Sequence, residues 1–67
     1  MEIKVNNQIE KFPENCSIQL LVDEIINEKQ KGIAIAVNNQ VIKKEYWQEY
    51  FLKQNDEVII IKATQGG

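Results

Sequence analysis

The chain has no histidine, one cysteine (Cys16), one proline and three glycines among 67 residues. Without histidine it lacks the commonest general base and metal ligand. A lone cysteine cannot form an internal disulfide framework, and Cys16 has no partner at metal-ligand spacing. The glycines, Gly32, Gly66 and Gly67, form no phosphate-binding loop. No apolar run approaches the length of a membrane span. A net charge of -2 and a pI of about 5.0 offer no basic surface for nucleic acid. Intrinsic catalysis, a resident metal, nucleic-acid binding and membrane insertion are therefore all disfavoured. No signal peptide precedes the first strand-like residues, so the expected compartment is the cytoplasm. At this length the chain holds one modest core.

What the chain does have is an ending, Gly66-Gly67, behind a short apolar run and a five-residue tail. At the average glycine frequency of about 7%, a terminal pair arises by chance in roughly one chain in two hundred. Residues without side chains can thread a narrow channel. They would carry the α-carboxylate of Gly67, charged at neutral pH, to another protein's active site. The alternative is a loose end without a role.

Upstream, Met1, Ile3 and Val5 alternate with Glu2 and Lys4, which predicts a half-buried strand. Asn6-Asn7 predicts a tight turn, and Gln8 to Phe12 the returning strand, broken at Pro13-Glu14-Asn15. Ser17 suits a helix N-cap, and Cys16 with Leu21 has the spacing of a hydrophobic staple. Ile18, Leu21, Val22, Ile25 and Ile26 form one apolar helical stripe, with Ile25 expected in the middle of the buried side. Lys29 and Lys31 suit the helix C-terminus and Gly32 its end.

A third strand follows at residues 33–37, with Ile33, Ile35 and Val37 on one face and Ala34 and Ala36 on the other. Asn38-Asn39 predicts a second turn and Gln40 to Lys43 a short strand. Tyr46, Trp47, Tyr50 and Phe51 lie in an expected short helical turn covering the open end of the core. The branched run 58–61 predicts a central last strand, parallel to the first. A mixed sheet of four to five strands with one helix across one face, the α+β β-grasp arrangement, satisfies this order. The β-grasp domain is expected over residues 1–62 and the tail over 63–67. Four residues stay open on these grounds alone. Cys16 is a reactive thiol or a staple, Trp47 a binding anchor or core. Lys43-Lys44 is a partner contact or a solvated pair.

Several pieces resemble one family in order. They are the strand beginning at Met1, Ile35-Ala36-Val37-Asn38-Asn39-Gln40-Val41-Ile42 followed by a charged pair and Trp47, then Asn55-Asp56-Glu57, the apolar last strand and Gly66-Gly67. Over essentially its whole length the chain resembles the ubiquitin-like sulfur carriers, most closely the sulfur carriers of thiamine biosynthesis. Lys43-Lys44 departs from a Pro-Arg-like pair in the family pattern.

The resemblance implies a carrier without catalytic residues of its own. A ubiquitin-activating-type adenylyltransferase, using ATP and Mg²⁺, would adenylate Gly67, with Gly66 threading the channel. A sulfur donor protein would convert the product to a thiocarboxylate, and thiazole synthase would take the sulfur. The family's spacing also implies Val58 and Ile60 inward and Ile59 and Ile61 outward. With Ala34 and Ala36 the outward pair would form a flat apolar docking face. Rival expectations are the small subunit of molybdopterin synthase, for which the chain is short, a protein modifier forming isopeptide bonds, and a β-grasp interaction module with an inert tail.

Overall fold

The computed structural model describes residues 1–26 and 32–62. Its turns are made by asparagine. Asn6 and Asn7 have φ of 48° and 69°, and Asn38 and Asn39 have 49° and 71°. Positive φ at both central residues defines the hairpin turn whose twist matches that of its strands. Asparagine reaches this region more readily than most residues because its short side chain can bond locally. Asn15 and Asn55 are also left-handed, as is Gly32 at φ 70°.

The two turns join β1 (Glu2–Val5) to β2 (Gln8–Lys11) and β3 (Ile33–Val37) to β4 (Gln40–Ile42), both antiparallel. The last strand, β5 (Glu57–Lys62), lies at the centre of the five-stranded sheet, whose order is β2-β1-β5-β3-β4. It runs parallel to β1 and antiparallel to β3. β2 is an exposed edge carrying Glu10 and Lys11, charges that discourage pairing with other chains.

The helix α1 (Ile18–Ile25) crosses one face of this sheet. Ser17 caps it as expected, its hydroxyl accepting from Leu20 N at 3.1 Å. The next two N-terminal donors find partners that no residue type announces: Ile18 N donates to Tyr50 O at 3.0 Å and Gln19 N to Trp47 O at 3.1 Å. The segment following a 3-10 helix at Lys44–Tyr46 thus supplies backbone acceptors to orphan donors at the start of α1. Lys43 adopts φ -64°, the value a proline would fix, so the turn forms without one.

The core joins Ile3, Val5, Cys16, Ile18, Leu21, Val22, Ile26, Ile35, Val37, Trp47, Leu52 and Val58. Two expectations are corrected. Ile25 is 39% exposed, and Ile26, the C-cap residue, takes the buried position. Ile25 lines a surface groove with Asn6, Ile26, Ile60 and Lys62. Ile25 is the last helical residue, and its neighbours in this groove include polar Asn6 and Lys62. Tyr46 and Phe51 are exposed, leaving Trp47, Leu52 and partly buried Tyr50 to close the open end. The helix ends at Ile25, and the expected roles of Lys29 and Lys31 lie outside the described residues.

These placements predict unequal truncations. Leu21→Ala, at a fully buried site, should cost about 2–5 kcal/mol. Ile25→Ala, already partly in water, should cost less than about 1.5 kcal/mol. Chemical denaturation of the two variants measures the difference, and equal losses would contradict the helix end described here.

Candidate functional site

The face of the sheet opposite α1 is built by strict alternation along β5. Val58 is fully buried and Ile60 packs against the core, so Ile59 and Ile61 point the other way. Register places Ile61 opposite Ala34, and Ala36 opposite both Ile59 and Val41. Two apolar rows result, Ala34–Ile61 and Val41–Ala36–Ile59. Ala36 is almost covered, whereas Ile61 is 50% and Val41 65% exposed. The larger side chains therefore stand around a floor of alanine. All four residues expected on this face, Ala34, Ala36, Ile59 and Ile61, lie on it together.

Val41 was missed. The only signal available was its position two residues after Asn38-Asn39, because a two-residue hairpin turn fixes which residue faces Ala36. Beside the rows, on the same face, lie Lys4 and Glu57, paired at 3.7 Å. Both are half-exposed, so the pair contributes below about 1 kcal/mol to folding. It gives the apolar rows a charged border.

The start of β5 is clamped. Asn38 Nδ2 donates to Asp56 Oδ1 at 3.0 Å, Asn38 Oδ1 accepts from Glu57 N at 3.0 Å, and Asp56 Oδ2 accepts from Lys53 N at 2.8 Å. Asn38-Asn39 and Asn55-Asp56-Glu57, distant in sequence, thus form one hydrogen-bonded unit that sets where the strand begins. β5 is described as far as Lys62, and the expected domain boundary behind it lies outside the described residues. Gly66 and Gly67 lie outside the described residues.

Cys16 is fully buried, and its thiol donates weakly to Ser17 O at 3.5 Å. Burial pushes the thiol pKa up, the nearby Glu24 carboxylate pushes the same way, and the N-terminal ammonium opposes them. The thiolate is disfavoured, so Cys16 is the staple and not a reactive centre. Trp47 is 1% exposed and belongs to the core.

The five-stranded mixed sheet, with its last strand central and one helix across one face, is the β-grasp arrangement of ubiquitin-like proteins. Within that class the chain belongs to the ThiS family, whose family model matches residues 1–67. It is 24% identical to the sulfur carrier protein ThiS of Escherichia coli (strain K12), with 100% of both chains covered. The fold is also that of the crystal structure of the thiamine biosynthesis protein ThiS from Geobacter metallireducens, with a TM-score of 0.85 at 19% identity and full coverage of both chains.

Proposed function

We propose that this chain is the sulfur carrier of thiamine biosynthesis, acting in the cytoplasm as a co-substrate and not as a catalyst. One observation carries the reading at the level of geometry. The central strand bears an open apolar face on one side and leads, five residues later, to Gly66-Gly67. A partner that docks on Ile59, Ile61, Ala34, Ala36 and Val41 has the strand leading to the tail in its grasp. Membership of the ThiS family and the relative's name support the same assignment.

The chemistry asks little of the carrier. A Gly67 carboxylate oxygen attacks the α-phosphate of ATP on a ubiquitin-activating-type enzyme, with Mg²⁺, and pyrophosphate leaves. Sulfide-level sulfur released by a donor protein then attacks the acyl carbon and displaces AMP, leaving a thiocarboxylate. Thiazole synthase receives that sulfur. The carboxylate needs activation because its oxygen is a poor leaving group, and every group that activates it belongs to the partner. Gly66 lets the chain enter the channel without a side chain.

Intact-mass measurement after incubation with a cognate activating enzyme, ATP, Mg²⁺ and sulfide tests this. The expected product is heavier by one sulfur-for-oxygen exchange. An unchanged mass with an enzyme active on its own carrier would refute the reading. Covalent attachment to lysines of other proteins would instead mark a modifier.

The docking face has its own test. Ile59→Glu or Ile61→Glu should weaken binding to the activating enzyme about tenfold or more, because a desolvated carboxylate would face an apolar partner surface. Stability should change little, since neither side chain belongs to the helix-side core. Titration and thermal melting are run together. Variants that unfold, with a residual folded fraction that binds normally, would place docking elsewhere.

A further inference from the structure

β5 is held unequally on its two sides. Toward β3, paired residues run from Val37–Val58 to Ile33–Lys62, the last residue of the strand. Toward β1, paired residues stop at Val5–Val58, because β1 turns away at Asn6-Asn7. Asn6 itself takes over from there. Its backbone N–H donates to Val58 O at 2.9 Å, and its side-chain Oδ1 accepts from Ile60 N at 2.8 Å. The carboxamide stands where the next residue of a longer β1 would have placed a carbonyl. Among the described residues this is the last hydrogen bond on the β1 side, two residues before the end of β5 and seven before Gly67.

We propose that Asn6 is a positioning residue for delivery of the C-terminus: it fixes the exit direction of β5 and so the direction in which the segment bearing Gly67 leaves the domain. The proposal rests on the reading that Gly67 is activated by a partner. Docking on the outer face fixes the sheet, and a strand end gripped on both sides then delivers the carboxylate with fewer unproductive orientations. Productive chemistry needs reacting atoms within about 3–3.5 Å, so a loosened exit lowers the fraction of docked chains that react. Asn6 meets two demands at once, a left-handed backbone at φ 48° and an acceptor reaching Ile60. Glycine meets only the first, whereas aspartate can meet both.

The test compares wild type, Asn6→Gly and Asn6→Asp by thermal melting, amide exchange at Ile60, and ATP–pyrophosphate exchange with the activating enzyme. Asn6→Gly should melt near wild type, because glycine suits the turn. Its Ile60 amide should exchange faster, and kcat should fall about fivefold, the effect of losing one ordinary hydrogen bond. KM should stay within about twofold, since the docking face is untouched. Asn6→Asp should restore both kcat and Ile60 protection. The assignment is overturned if Ile60 exchanges faster while kcat is unchanged, if Asn6→Asp is as impaired as Asn6→Gly, or if the loss lies in KM alone. An inactive wild type would overturn the activation reading and this assignment with it, whereas normal wild-type turnover with indifferent variants removes only Asn6.

Discussion

A chain lacking Gly67 is expected to fold like the full protein and to fail completely as a substrate for adenylation. Its stability should change by no more than about 0.5 kcal/mol, the usual scale for changes away from a core. The described core is drawn from Ile3 to Val58, nine residues before the end of the chain. The chemical loss is a matter of reach. One residue of extended chain spans about 3.3–3.6 Å, so truncation draws the carboxylate back by roughly that distance. A nucleophile that must sit within about 3–3.5 Å of the phosphorus cannot absorb such a retreat. A new carboxylate on Gly66 has the right chemistry in the wrong place. Pyrophosphate exchange with the activating enzyme, at carrier concentrations high enough to saturate docking, reads the effect. Turnover at the wild-type rate would show that the enzyme follows the carboxylate wherever the chain ends. A large drop in melting temperature would show that the end packs on the domain.

Much of the frame was legible because it depends on local rules. Asparagine pairs at two turns fixed two hairpins, and those hairpins fixed which residues share a face. Alternation in β3 and β5 then placed Ala34, Ala36, Ile59 and Ile61 together on the outer surface. The staple of Cys16 and Leu21, with Ser17 between them as cap, was legible for the same reason. What escaped was set by the limits of one element against another. Ile25 has the right helical phase for burial, but phase carries no information about where the helix stops. The acceptance of Ile18 N and Gln19 N by Tyr50 and Trp47 uses backbone carbonyls, which every residue type possesses. Asn6 was readable as a turn residue, while the reach of its side chain to Ile60 required the parallel register of β1 and β5. The terminal Gly66-Gly67 was legible as a candidate carrier tail once the family resemblance was set beside it, and it lies outside the described residues.

Trp47→Ala is expected to be the most damaging single core substitution, costing about 3–5 kcal/mol. A domain of this size has roughly 3–10 kcal/mol of stability in total, at the usual 0.05–0.15 kcal/mol per residue, so the variant should be largely unfolded. Three effects converge. The indole is 1% exposed and is the largest fully buried side chain. Its Nε1–H donates to Ile42 O at 2.9 Å, tying the end of β4 to the segment behind the 3-10 helix. Trp47 O in turn accepts from Gln19 N, so displacement of this residue loosens the start of α1 as well. Lys44, 6.0 Å from the ring centroid, adds only a weak cation–π contact, so Lys44→Ala should be nearly silent. Trp47→Phe separates packing from the hydrogen bond. It keeps most of the apolar volume but leaves Ile42 O without its donor, and should cost about 1–3 kcal/mol. Urea denaturation of the three variants gives the order Ala, then Phe, then Lys44→Ala in decreasing loss. A Trp47→Ala protein that stays folded and instead loses affinity for its activating enzyme would make Trp47 a docking anchor, against its burial.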